Sequence, residues 1–171
     1  MSTITSRLAW AAVLLVSAGL LGFGLYLQHI EHLEPCPLCI LQRLAFIATG
    51  LTGLVAAVHN PRTAGQAVYA GMLILFAGLG AGIAGWHFWL QHAPHGKAFE
   101  CGPGIGYMLD AFPLSKALPM IFRGSGDCGN IVWSFLGLSI PGWALVWFIL
   151  LVIVGLVLLT QALRQPKHAT S

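Results

Sequence analysis

Four long apolar stretches dominate this 171-residue chain, at residues 8–27, 40–58, 68–90 and 142–163. Each holds about 19 to 23 residues, which at a rise of about 1.5 Å per residue covers the roughly 30 Å core of a bilayer. Only 8% of the residues are charged, far fewer than a soluble domain carries. The sequence therefore predicts an all-α membrane protein, a bundle of four transmembrane helices that forms one integral membrane domain over residues 1–171.

The basic residues indicate how these helices are oriented, because Lys and Arg are retained in cytoplasmic loops. The N-terminus, the turn between helices two and three and the C-terminus have no acidic residue and contain Arg7, Arg62, Arg164 and Lys167. The other two loops, residues 28–39 and 91–141, contain all five acidic residues. Both termini are therefore expected in the cytoplasm, and both of these loops on the outer side of the membrane.

The large second outer loop contains a short amphipathic segment, FPLSKALPMIF at residues 112–122. Apolar side chains mixed with Lys116 suit a short helix that lies in the membrane interface. Packing of the segment on the rest of the loop explains the pattern equally well. We expect the interfacial helix to restrain the movement of this loop.

All four cysteines lie in the two outer loops. Cys36 and Cys39 have Cys-x-x-Cys spacing at the mouth of helix two, and Cys101 and Cys128 belong to the second loop. Disulfides persist outside the cytoplasm, so this position indicates redox-active thiols rather than inert packing cysteines. The spacing favours two switching disulfides, Cys36 with Cys39 and Cys101 with Cys128, among the three possible pairings. A zinc tetrathiolate is disfavoured because its ligands usually come from two short knuckles, whereas 26 residues separate the second pair.

Cys39 and Arg43 are expected on one face of helix two, one helical turn apart. A helix N-terminus and a nearby guanidinium both favour the thiolate form of a cysteine. An arginine within the membrane is costly and indicates a function by default, although at this depth its side chain also reaches the headgroups by snorkelling. The functional alternative is that Arg43 stabilises an anionic thiolate and polarises a carbonyl oxygen of a lipid-soluble electron acceptor.

Two histidines lie near the outer end of helix three, His87 and His92. Both are expected at the level of Cys39 if the helices pack side by side, and there they can serve the same acceptor site. An interfacial histidine without a catalytic role fits the pattern at least as well.

Several familiar patterns are rejected. GAGIAG at residues 80–85 matches the dinucleotide motif GxGxxG but lies in an apolar helix without a preceding strand. Helix packing through small residues, including Gly78 and Gly82 at GxxxG spacing, explains these glycines better. Cys39 is not followed by the His of a haem-attachment motif, and the first apolar stretch exceeds a signal-peptide core of about 7 to 15 residues. A net charge of +3 spread along the chain does not suit nucleic acid.

Three segments together resemble those of the disulfide-bond formation protein B (DsbB) family. They are PCPLC at residues 35–39 followed by Arg43, SGDC at residues 125–128, and WSFLGLSIPGW at residues 133–143. The resemblance covers nearly the whole chain, including the number of helices and the order of the loops. It implies a thiol:quinone oxidoreductase of the bacterial inner membrane, whose cysteines face the periplasm and reoxidise a DsbA-like dithiol oxidase.

The resemblance also implies a role for each cysteine. Cys101 is the sulfur that the thiolate of the partner attacks, and Cys128 is its partner in the loop disulfide. Cys36 exchanges with the loop pair through a transient bridge to Cys101. Cys39 is then released as a thiolate that faces the quinone, so that electrons pass through two cysteine pairs in turn.

The cofactor that the resemblance implies is ubiquinone or menaquinone from the membrane pool, in a pocket lined by Arg43 and His92. No metal, haem or nucleotide is expected. A vitamin K epoxide reductase-like enzyme is the alternative, but its Cys-x-x-Cys comes late, at the last core helix, whereas here it opens helix two. A non-enzymatic transporter or scaffold with structural disulfides predicts buried polar residues along a path through the bundle, and beyond Arg43 the predicted helices contain no charged residue.

Overall fold

The computed structural model describes residues 3–31, 36–61, 63–92 and 133–164. These residues form four helices and one small hairpin. The helices are α1 (Thr3–His29), α2 (Pro37–His59), α3 (Thr63–His92) and α4 (Ile140–Arg164). The hairpin pairs β1 (Ser134–Phe135) with β2 (Leu138–Ser139) in antiparallel register and leads directly into α4. Cys101, Cys128 and the interfacial helix expected at residues 112–122 lie outside the described residues.

All four helices are long and apolar enough to cross a membrane. Their candidate spans have 24, 23, 29 and 25 residues, with mean hydropathies of 2.1, 1.7, 2.0 and 2.8. The predicted all-α bundle of four membrane-spanning helices is therefore confirmed, and the chain is a multi-pass membrane protein. The cytoplasmic location of both termini stays a prediction.

Helix α2 begins at Pro37, three residues before the apolar stretch that predicted it. Cys36 is the N-cap residue, and Pro37 follows it in the first turn. A backbone N–H at this position has no partner within the helix, so the N–H that proline lacks costs no hydrogen bond. The helix ends at His59, and the C-cap residue Asn60 has left-handed backbone angles and donates its N–H to the carbonyl of Ala56. Hydropathy indicates which residues contact lipid, whereas the capping residue determines where the helix starts. Because α2 starts at Pro37, Cys39 lies inside its first turn.

Successive helices pack against each other in antiparallel order, α1 on α2, α2 on α3 and α3 on α4. Ser17 of α1 and Thr49 of α2 share a buried hydrogen bond of 3.2 Å at mid-helix. The rings of Phe46 in α2 and Phe148 in α4 stack with centroids 4.0 Å apart at the centre of the core. This arrangement brings the C-terminal ends of α1 and α3 together with the N-terminal ends of α2 and α4.

Close packing between α3 and α4 depends on Gly80, and not on the GxxxG pair that the sequence suggested. A Cβ atom at Gly80 would overlap the ring of Phe148, whereas a Cβ at Gly78 or Gly82 would meet no described residue within 4 Å. The expectation for Gly78 and Gly82 was wrong because a spacing of four residues defines a helix face but does not say which neighbour the face meets.

Replacing Gly80 by valine is therefore expected to destabilise the bundle by about 1–3 kcal/mol, the usual cost of overpacking a core. The ring of Phe148 is fully buried and stacked on Phe46, so it has little room to move. Thermal unfolding in detergent measures the effect. Gly82→Val is the matched control, because it places the same side chain on an open face of the same helix, and an equal loss in both variants would contradict the assignment.

Candidate active site

The first turn of α2 holds two thiols in contact. Cys36 has an extended backbone, with φ of −67° and ψ of 164°, which turns its side chain back over the start of the helix. Its Sγ accepts a hydrogen bond from the backbone N–H of Cys39 at 3.3 Å. The Sγ atoms of the two residues lie 3.0 Å apart, and both side chains are partly buried. A disulfide needs an S–S distance of about 2.05 Å, so a small movement within one helical turn closes the bond.

His87 of α3 packs directly against this thiol pair. Its ring is only 1% exposed, and Nε2 lies 3.7 Å from the Sγ of Cys36. The other ring nitrogen, Nδ1, lies 3.1 Å from Nε2 of Gln42, which is also buried. Because the amide nitrogen of Gln42 can only donate, Nδ1 accepts, and the proton of a neutral imidazole is then on Nε2, directed at Cys36.

The guanidinium of Arg43 is held by the C-terminal part of α1. Its Nη1 donates to Oε1 of Gln28 at 2.5 Å, and its Nη2 donates to the carbonyl oxygen of Gly24 at 3.0 Å. A guanidinium has five N–H groups, so these two bonds leave others available. These contacts with α1 hold the charge in place. An arginine that only snorkels to the headgroups does not require such contacts.

One cavity of about 360 Å³ connects these groups. The polar residues that line it include Cys36, Cys39, Gln42, Arg43, His87 and Gln91. Its remaining walls are apolar and aromatic, and include Phe23 and Leu27 of α1 and Trp147 of α4. A mainly apolar pocket of this size with a few converging polar groups is typical of a small-molecule site.

The hairpin before α4 covers one end of this cavity with aromatic rings. The turn between its strands uses two left-handed residues, Leu136 and Gly137, with φ of 53° and 80°. Trp133 packs edge-on against Phe23 of α1 and also stacks on Phe135. These contacts place the hairpin across the gap between α1 and α4.

Two hydrogen bonds hold the hairpin in this position. The indole N–H of Trp143 in α4 donates to the carbonyl oxygen of Phe135 at 3.0 Å. The hydroxyl of Ser139 donates to Oε1 of Gln91 in α3 at 2.6 Å. The hairpin is therefore attached to both α3 and α4 beside the cavity.

A family model described as "Disulfide bond formation protein DsbB" matches residues 6–158, which include all of α2 and α3 and most of α1 and α4. The chain belongs to the DsbB family. The resemblance noted in the sequence is thereby confirmed.

Curated members of the DsbB family align over most of their length. The relative from Marinobacter nauticus is 48% identical over 153 residues, which cover 90% of this chain and 91% of the relative. The relative from Azoarcus sp. is 53% identical over 142 residues, covering 83% and 85%. The relative from Aromatoleum aromaticum is 48% identical over 157 residues, covering 92% and 94%. All three are named "Disulfide bond formation protein B".

The structure brings Cys36, Cys39 and Arg43 to one cavity. His92 does not line that cavity. Its ring is exposed, packs on Phe88 and has Nδ1 2.9 Å from the carbonyl oxygen of that residue. The geometry supports His87 at this position instead. In a straight helix the two histidines differ by five residues, about 140° of rotation, and only one of them faces α2.

Gln42 and Gln28 are two contributors to the site that sequence reasoning missed. Both are polar residues at the edge of an apolar stretch, and Gln42 directly precedes Arg43. Buried polar side chains are almost always hydrogen-bonded, and this rule was the available signal. Their partners, however, lie 45 and 15 residues away in the chain, and only the packed helices identify them.

Proposed function

We propose that this DsbB-family protein is a thiol:quinone oxidoreductase that reoxidises a periplasmic DsbA-like dithiol oxidase. Electrons pass from the pair Cys101 and Cys128 to the pair Cys36 and Cys39, and then to a quinone of the membrane pool. One observation carries the proposal. A Cys-x-x-Cys pair opens into an apolar cavity at the end of a membrane-spanning bundle, with a fixed guanidinium on the same cavity.

The cavity suits a quinone ring, ubiquinone or menaquinone, in shape and chemistry. Apolar and aromatic walls favour a flat, weakly polar ring, and its position between membrane-spanning helices suits a lipid-soluble molecule. The free N–H groups of Arg43 and the half-buried amide of Gln91 supply polar atoms for quinone oxygens. These residues would hold the cofactor beside Cys39.

A strong oxidant is necessary for the reaction, because the established potential of the oxidase DsbA is about −120 mV, far above the roughly −300 mV of structural disulfides. A bound quinone supplies an acceptor for two electrons and two protons. Closure of the Cys36–Cys39 disulfide releases this pair of electrons and two protons from the thiols. The protein contributes the approach of the two sulfurs and the exclusion of water by aromatic walls.

Each side chain around the thiol pair has a separate task in this proposal. The N–H of His87 directed at Cys36 stabilises negative charge on that sulfur when the thiol loses its proton. Gln42 keeps the ring in this orientation by occupying the other ring nitrogen. Arg43 stabilises the thiolate of Cys39 and polarises the acceptor, and its bonds to Gln28 and Gly24 prevent it from turning away.

We further propose that the protein lies in the bacterial inner membrane, with the cysteine-bearing end of the bundle facing the periplasm. The support comes from charge. All five acidic residues lie in the two loops at this end, whereas the segments at the opposite end have basic residues without acidic ones. The donor sites are then on the oxidising side, where disulfides are made.

Quinone reduction in sealed vesicles tests the function and the orientation together. A reduced thioredoxin-like dithiol protein, which cannot cross the membrane, is added to vesicles that expose the periplasmic face or to inverted vesicles. We expect quinol formation matched one to one by donor disulfide in the first preparation, and none in the second until detergent opens it. Activity in the inverted vesicles alone would reject the orientation, and no activity in detergent would reject the function.

Replacing Gln42 by leucine is expected to lower turnover about tenfold, which corresponds to roughly 1.4 kcal/mol in the barrier. The leucine fills the space but removes the hydrogen bond from Gln42 to Nδ1 of His87, which helps to orient the ring at Cys36. Gln66→Leu is the matched control. Gln66 is 5% exposed against 4% for Gln42, and it donates to Ser6 Oγ at the opposite end of the bundle. Equal turnover in the two variants would show that Gln42 only supports the fold.

A further inference from the structure

Three metal-binding side chains converge at the start of α2. The Sγ atoms of Cys36 and Cys39 and one ring nitrogen of His87 all lie within 4.8 Å of one another. The donors come from two helices, and His87 is almost fully buried, so packing holds the group together. Two thiolates and an imidazole form a ligand set that zinc proteins use, and Cys-x-x-Cys is the usual spacing for the two sulfurs.

We propose that the reduced form of this pair, together with His87, is a binding site for one soft divalent cation of the Zn²⁺ or Cd²⁺ type. The cation is an inhibitor of the thiol relay and not a resident cofactor. Two thiols lose their protons, two metal–sulfur bonds form, and no electron is transferred. The site therefore exists only while the Cys36–Cys39 disulfide is open.

The observed distances suit such a site. Tetrahedral coordination with metal–sulfur bonds of about 2.3 Å and metal–nitrogen bonds of about 2.0 Å separates two sulfurs by about 3.8 Å and a sulfur from a nitrogen by about 3.5 Å. Cys36 Sγ already lies 3.7 Å from His87 Nε2. The sulfurs are 3.0 Å apart, so they separate by less than an ångström to take up the metal.

Gln42 lies where it can hydrogen-bond the ring nitrogen of His87 that does not bind the metal. Coordination through Nε2 requires the proton of the ring on Nδ1, and that N–H is usually held by a carbonyl or carboxylate. The side-chain amide of Gln42 lies 3.1 Å from Nδ1 and can present its oxygen there by a half-turn about its terminal bond. The same amide therefore supports either tautomer of His87.

The charge balance and the fourth coordination position also fit. Two thiolates neutralise a divalent cation, so the complex adds no net charge to this apolar cavity. Three protein ligands leave one position for a water molecule or another small ligand, as in catalytic zinc sites. The cavity that the three side chains line has room for it.

Cadmium titration of the full chain tests the proposal, in a background with Cys101→Ser and Cys128→Ser so that only the α2 pair can bind. The protein is purified in detergent, reduced, and freed of reductant without air. We expect one Cd²⁺ per chain, an ultraviolet thiolate-to-cadmium absorption band, and a ¹¹³Cd resonance in the range for two sulfurs and a nitrogen. Oxidation of Cys36 and Cys39 is expected to abolish all three signals.

Variants of the histidine distinguish this site from a simple dithiol chelate. His87→Ala and His87→Gln are each expected to weaken Cd²⁺ binding at least tenfold and to shift the ¹¹³Cd resonance, because the nitrogen ligand is lost. His59→Ala, which changes an exposed histidine at the opposite end of α2, is expected to leave both unchanged. Unchanged affinity and resonance in both His87 variants, or absence of binding in the reduced parent, would overturn the proposal. The assay contains no quinone and no donor protein, so its result is independent of the proposed function.

Discussion

Cys39→Ser is expected to reduce donor-dependent quinone reduction at least about a thousandfold, the scale of losing an essential nucleophile. A serine hydroxyl cannot form a disulfide with Cys36, so the electron pair has no path from the sulfurs to the cavity. In the proposed relay this pair is the last thiol step, and its two Sγ atoms lie 3.0 Å apart beside the cavity. Initial rates of quinol formation with a reduced thioredoxin-like donor measure the effect.

Thr52→Ser is a suitable control for this prediction. Thr52 lies deeper in the same helix, is buried, and bonds the carbonyl of Ala48 through its own hydroxyl. The substitution removes one methyl group and keeps that hydroxyl, so we expect turnover to stay within about twofold. Activity that survives Cys39→Ser would reject the relay through α2, whereas equal losses in both variants would indicate a folding defect.

Arg43→Ala is expected to raise the apparent KM for quinone and to lower turnover, with a combined loss in kcat/KM of about ten- to a hundredfold. This range corresponds to about 1.5–3 kcal/mol for hydrogen bonds from a charged group. Arg43→Lys is expected to recover only part of it, because an ammonium cannot bond Gln28, Gly24 and the acceptor in one plane. Quinone titrations at a fixed donor concentration separate the effect on KM from that on kcat.

Arg7→Ala is the matched control for Arg43. The Arg7 guanidinium also bonds a backbone carbonyl, that of Ala57 at 3.3 Å, but it does so at the opposite end of the bundle. We expect its removal to leave the quinone titration unchanged. If Arg43→Ala gave the same curve as Arg7→Ala, snorkelling to headgroups would be the better explanation for Arg43.

Much of the fold was accessible from hydropathy alone, because a membrane constrains the chain so strongly. A segment that crosses hydrocarbon must satisfy its backbone internally, so each apolar stretch of sufficient length becomes a helix. The exact ends were less accessible. Lipid contact ends near the end of each apolar stretch. Helix α2 instead starts where Cys36 caps it, because the first turn of a helix tolerates a proline such as Pro37.

The candidate site divides in the same way. Cys36, Cys39 and Arg43 are close in sequence on one helix, and helical geometry alone places them together. The choice of His87 over His92 depends on how α3 is rotated against α2, and that rotation follows from packing rather than from polarity. The contact of Gly80 with Phe148 is one of the interactions that set how α3 lies against α4.

The amino-acid order thus specified four membrane-crossing helices and a dithiol beside an arginine at the mouth of the second, since both follow from hydropathy and from positions one turn apart. Tertiary packing decided the rest. It selected His87, paired it with Gln42, fixed Arg43 on α1 and enclosed the cavity with the aromatic hairpin. These contacts join residues 15 to more than 100 positions apart, and only the interdigitation of buried side chains determines which of them meet.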